Sequence, residues 1–121
     1  MGKKNQDSFR KGIIELVILS VLSEGDYYGY EISQKIKKRS EQQITIRVGS
    51  MYPTLYRLEE LGYVSSQKVL IGKRMTRVYY HLEDSGHEYY KEVKEDYYHL
   101  HMYVRKVLEY SEKEGKCDES I

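Results

Sequence analysis

Four histidines, His81, His87, His99 and His101, are the side chains best suited to moving protons, and carboxylates lie near each in the chain. Their spacing argues against catalysis. His99 and His101 are two residues apart, so on a helix they point away from each other. No nucleophile motif, glycine-rich phosphate loop or paired-carboxylate setting accompanies them. His87 and Glu88 could meet His99 or His101 across two copies to hold a metal, but the spacing follows no ligand pattern, and solvated side chains explain them as well. The expectation is therefore no enzyme, no metal and no cofactor, with a metal-responsive protein kept as an alternative. One cysteine, Cys117, excludes an intrachain disulfide and a cysteine-rich metal site, and fits a reducing compartment.

Binding of a polyanion is the chemistry better represented. The totals nearly cancel, with 20 basic and 19 acidic side chains. Residues 1–82, however, carry 14 basic and 8 acidic groups, a net of +6, and residues 83–121 carry 6 and 11, a net of −5. A basic front and an acidic back suggest that only the front meets nucleic acid. Lys73, Arg74 and Arg77 concentrate charge around Gly72, where a loop could grip a phosphate backbone or a minor groove. Lys37 and Lys38 add charge upstream.

These groups need elements to hold them. Residues 9–23 are apolar on most sides and read as a helix buried by several neighbours, stopped by Gly25 and Asp26. A second helix spans about 29–40, with Ile32 and Ile36 inward and Lys37 and Lys38 largely outside that face. Residues 44–48 (ITIRV) alternate and read as a short strand. Ser50 then caps a third helix, which makes Pro53 its third residue, and Gly62 ends it. Met51, Leu55, Leu58 and Leu61 face the core, leaving Tyr52, Pro53, Tyr56 and Arg57 turned away, with Ser50 at the tip. Such a helix suits a major groove, although an ordinary amphipathic surface helix would look the same. Residues 64–69 and 77–82 read as strands joined by a basic loop, and 84–112 as a long last helix with a frayed tail from 113. The order is that of a mostly α, winged helix-turn-helix domain (1–82) followed by a C-terminal helix (83–121).

Three motifs in that order resemble the PadR family of transcriptional regulators: YGYEI at 28–32, GSMYPTLYRLEELGYV at 49–64, and VYYHL at 78–82 followed by Gly86. The similarity covers about residues 11–86 and is closest to the compact branch with one terminal helix. Two positions depart from the family pattern. Glu83 stands where a capping Thr is usual, moving the expected cap to Asp84 or Ser85, and the wing lacks the Pro often found before its second strand. The resemblance implies a homodimeric repressor on a palindromic operator, released by a small, often phenolic or aromatic, molecule.

From the residues alone, the last helix predicts self-association. Tyr90, Val93, Tyr97, Leu100, Val104 and Val107 are spaced 3, 4, 3, 4, 3, a heptad seam, although a helix so striped could also fold back on its own domain. Fourteen Tyr, one Phe and no Trp make tyrosine the aromatic of this chain; Tyr97, Tyr98 and Tyr103 could face a flat ligand or simply pack a wet interface. The polar start does not read as a signal peptide, and the apolar run at 13–22 is too short for a membrane span, so a cytoplasmic protein is expected. A winged-helix interaction module that binds no DNA remains the other open reading.

Overall fold

The computed structural model describes residues 3–118, with side chains from residue 12 to 110 and at 112. Its elements run α1 (Lys3–Leu22), β1 (Tyr27–Tyr28), α2 (Gly29–Arg39), α3 (Val48–Glu60), β2 (Val64–Ile71), β3 (Met75–Leu82) and α4 (Asp84–Asp118). They fall into two units, one through Tyr90 and a second from Lys91 onward.

Three helices and one sheet face close the core of the first unit. Ile18, Leu19 and Leu22 of α1 meet Ile32 and Ile36 of α2 and Met51, Leu55 and Leu58 of α3, while Val64, Tyr80 and Leu82 cover them from the sheet. The spacings are helical on α1 to α3 and alternate on the strands, so each element presents one apolar face. The antiparallel sheet has the order β1-β3-β2, with Tyr28 opposite Tyr79 and Val64 opposite Leu82. This is a winged helix-turn-helix domain followed by one long helix, a mostly α fold with a small β wing.

The helix ends show how the chain enforces these boundaries. Glu31 accepts from the Tyr28 backbone N–H at 3.3 Å, which fastens the start of α2. Gly62, at φ +82, ends α3: its N–H donates to the Glu59 carbonyl while Tyr63 N–H reaches back to Leu58. The same pair of bonds ends α2, with Glu41 N–H on Lys38 and Gln42 N–H on Lys37. There the left-handed residues are Glu41 (φ 55) and Gln42 (φ 69), which lack glycine's freedom.

Several sequence expectations are corrected. Residues 43–47 form no strand. Ile46 is buried and Ile44 half-buried, so their alternation marks one side of an extended segment, and the free edge of β3 is taken by Tyr27 and Tyr28 instead. Arg47, not Ser50, is the N-cap of α3; its carbonyl accepts from Ser50 and Met51 N–H groups, which makes Pro53 the sixth helical residue. The strands of the wing run further than expected, to Ile71 and from Met75, leaving a three-residue turn whose Gly72 has φ +68. At the start of α4, His87 N–H donates to the Glu83 carbonyl, so Glu83 itself holds the capping position, and Ser85 Oγ donates to the Gly62 carbonyl. The helix α1 begins before residue 9. The helix α4 continues past residue 112 to Asp118. Residues 119–121 of the expected tail lie outside the described residues.

Candidate nucleic-acid interface

Helix α3 is seated by Met51, Leu55 and Leu58, each at most 2 % exposed. Its opposite side shows Ser50, Pro53 and Tyr56 to solvent. Two of the side chains expected there are otherwise engaged. The Tyr52 ring is half-buried against the core, and its hydroxyl end lies over Gly29, where a Cβ would collide with it. An N-terminal start three residues earlier than expected does not alter the helical angle; what the angle omits is that α2 approaches closely enough at Gly29 to cover this ring. Tyr56 remains 56 % exposed, its ring 6.0 Å from that of Tyr52.

Arg57 is the second. Its guanidinium pairs with Glu15 of α1, whose side chain is only 9 % exposed, while 53 % of the Arg57 side chain stays accessible. Tyr89 of α4 donates its hydroxyl to the other Glu15 oxygen at 3.1 Å. Burial, followed by the Glu15 charge, raises the Tyr89 phenol above its ordinary range. One buried carboxylate therefore ties α1, α3 and the start of α4, and Arg57 is first of all its counter-ion. Tyr63 and Tyr89 stack beside it, 4.2 Å apart and 4° from parallel. Neither Glu15 nor Tyr89 figured among the sequence candidates. The signal was present: Glu15 is the one charge inside the apolar run 13–22, and such a charge requires a partner.

The wing separates its three cations. Lys73 and Arg74 are exposed in the turn, whereas Arg77 is half-buried on the outer sheet face, its guanidinium 4.4 Å from the centre of the Tyr28 ring. Tyr79 meets the same ring edge-on at 5.5 Å. On α2, Lys38 is exposed and Lys37 half-buried, while Arg39 forms a two-pronged pair with Glu24 at 2.5 and 2.8 Å. That hydrogen-bonded arginine holds the Glu24 carboxyl below its usual value. Among the described residues Arg47, Lys38, Lys73 and Arg74 have no ion-pair partner, so their charge is available to a ligand. Arg47 and the exposed Val48 were missed as site residues because the sequence placed them in a strand.

Two further groups shape the domain's electrostatics. His81 of β3 bonds Asp26 through Nδ1 at 2.7 Å, and that contact, helped by Glu83 and Asp84, raises its pKa. Tyr80 is buried, which pushes its phenol up to about 12 and keeps it neutral.

On the second unit, Tyr97, Leu100, Val104 and Val107 are exposed, with Tyr98, Met102, Tyr103, Leu108 and Tyr110 beside them. Tyr97 packs edge-on to Tyr98 at 5.7 Å and stacks on His101 at 6.1 Å, and Lys106 lies 5.4 Å over Tyr103. Tyr90, the first residue of the expected seam, is half-buried against the core of the first unit. No group of three metal-binding side chains comes together among the described residues, and no described helix is long and apolar enough to cross a membrane.

The model of the Transcriptional regulator PadR-like family matches residues 18–92. The Escherichia coli (strain K12) transcriptional regulator YqjI is 31 % identical over 94 residues, which are 78 % of this chain and 44 % of that protein. A transcriptional regulator structure from Clostridium thermocellum superposes with a TM-score of 0.76 at 33 % identity, covering 82 % of this chain and 96 % of that one. Bacillus subtilis PadR, solved in complex with operator DNA, matches with a TM-score of 0.61 and 25 % identity over 66 % of this chain and 45 % of its own. The chain thus spans less than half the length of YqjI and of that PadR.

Proposed function

This chain belongs to the PadR-like family of transcriptional regulators, not to a family of enzymes, and on that premise we propose that it is a homodimeric repressor that reads a palindromic operator in double-stranded DNA. The observation that carries this reading is an exposed α3 surface (Ser50, Pro53, Tyr56) in a domain whose cations Arg47, Lys38, Lys73 and Arg74 have no ion-pair partner among the described residues. The α3 surface enters the major groove, the wing turn grips the backbone, and Lys37 and Lys38 add long-range attraction. Arg77 and Arg57 support this face from within the fold, Arg77 on Tyr28 and Arg57 on Glu15, with Arg57's accessible edge still open to a phosphate.

The heptad seam on α4 is the second half of the proposal. Tyr97, Leu100, Val104 and Val107 form an apolar stripe that a second copy would cover, and Val93 precedes Tyr97 in the same heptad seam. A two-fold dimer sets two recognition helices about one DNA turn apart, which is why the operator is palindromic. The exposed rings of Tyr97, Tyr98 and Tyr103 favour a flat, phenolic or otherwise aromatic effector that releases the DNA. The test is selection of duplexes from a random-sequence pool by the full chain, followed by affinity measurement at two salt concentrations. A recurrent inverted repeat bound with steep salt dependence is expected. Enrichment of no sequence would leave the interaction-only reading.

A further inference from the structure

The apolar stripe of α3 outruns the core it serves at both ends: Leu61, expected to face the core, is 52 % exposed at the C-cap, and Val48 is exposed at the start. Val48, Met51, Leu55 and Leu58 follow helical spacing, yet the last three are at most 2 % exposed and Val48 is 66 % exposed. Val48 is the first residue of the helix and lies outside the buried core. A β-branched side chain there gains nothing for helix propensity, and burial does not retain it. Its surroundings are equally open. Gly49 follows, and a Cβ built on it meets nothing within 4 Å, so no packing requires glycine there. Arg47 precedes Val48 without an ion-pair partner among the described residues, and the Ser50 hydroxyl is exposed one residue further on. The tip of α3 is thus a cation, an apolar knob, a bare backbone and a hydroxyl.

A duplex offers that knob one apolar counterpart. Most base-edge atoms facing the major groove are polar, and the 5-methyl of thymine is its most prominent apolar feature. We propose that Val48 is a specificity-determining residue that packs on a thymine methyl in each operator half-site, with Gly49 allowing the backbone to come close and Arg47 holding the adjacent phosphate. This rests on the reading of α3 as the DNA-reading helix and adds which base it selects. The charge at the tip and on the wing favours a duplex over an apolar protein surface as the occupant.

The experiment removes the methyl from each side in turn. In a duplex selected by the wild-type chain, thymines are replaced singly by deoxyuridine, which deletes only the 5-methyl group. At one position per half-site, wild-type affinity should fall roughly four-fold for one deleted methyl, about the contribution of one buried carbon. Val48→Ala should bind the thymine duplex correspondingly less well and no longer distinguish it from the uracil one, with an unchanged melting temperature because Val48 is outside the core. Val48→Thr, which keeps one methyl, should retain part of the discrimination. Equal wild-type binding to every uracil duplex would overturn the proposal, as would Val48→Ala that still senses the methyl. If Val48→Ala instead alters the oligomeric state, Val48 contacts another copy and the proposal fails. If the wild type selects no duplex at all, the DNA-binding reading falls and takes this one with it.

Discussion

Replacing Arg57 with Ala tests whether this arginine is first a part of the fold. The substitution removes the counter-ion of Glu15 and leaves the Tyr89 hydroxyl alone against a carboxylate whose side chain is 9 % exposed. Breaking a fully buried pair typically costs about 3–5 kcal/mol, and an exposed pair less than about 1. Arg57 is 53 % exposed, so water can replace part of its interaction, and a loss of about 2–3 kcal/mol follows. For a unit of this size that is a fall in Tm of roughly 10–20 °C. Circular dichroism melts at one fixed protein concentration would measure it. Glu15→Gln combined with Arg57→Leu removes charge from both sides and should recover more than half of the loss, because no buried ion is left unpaired. An Arg57→Ala variant melting within about 2 °C of wild type would refute the assignment of Arg57 as counter-ion. Binding to the selected duplex, measured well below both melting points, then decides whether the accessible edge of Arg57 also touches DNA. A further loss of about 1–3 kcal/mol would indicate that it reads a base.

Changing Lys73 and Arg74 to Ala should weaken binding to all duplexes alike and lower the log–log salt slope by roughly 0.9 for each phosphate the wing no longer neutralises; an unchanged slope removes the wing turn from the interface. Leu100→Asp with Val104→Asp should convert a dimer to monomers by placing charge in the seam, as read by sedimentation, and a wild type that already sediments as a monomer would refute the pairing. Because Asp26 raises the folded-state pKa of His81, their interaction adds stability below the unfolded histidine value of about 6.5, and this fades as pH rises through the higher folded value. Melting temperature should therefore decline across that interval in wild type, with the decline reduced in Asp26→Asn, where only the charges of Glu83 and Asp84 remain beside His81. Glu41→Gly, at φ 55, should stabilise by about 0.5–1 kcal/mol in denaturant titrations, since glycine relieves the left-handed strain.

The parts of this fold that were legible are those fixed by local chemistry. Gly62 marked the end of α3 because a left-handed residue was needed there, and the periodicity of Ile32 and Ile36 placed α2 to within a residue. What was misread depends on partners far away in the chain. The alternation at 44–48 reports which side of the backbone faces the core, but a strand also needs a neighbour, and β3 pairs with Tyr27 and Tyr28. Ser50 and Pro53 looked like a helix start by their own preferences, yet the chain turns helical at Val48. The positions of the candidate site on α3 and the wing could be read, whereas the engagements of its side chains could not. A helical wheel shows Arg57 opposite the core and cannot show Glu15 on another helix, nor the space at Gly29 into which Tyr52 leans.

The stacked Tyr63 and Tyr89 rings give the protein an optical property that its composition alone would not suggest. With 14 tyrosines and no tryptophan, tyrosine dominates the aromatic near-ultraviolet signal. Two phenols held 4.2 Å apart and nearly parallel couple their transitions, and chirality imposed by the fold makes that coupling visible as circular dichroism. One ring belongs to the segment after α3 and the other to α4, beside the carboxylate that holds Arg57. A change in the spacing of those elements would thus be written into the spectrum of the unlabelled protein, which carries its own gauge of how the end of α3 meets the start of α4.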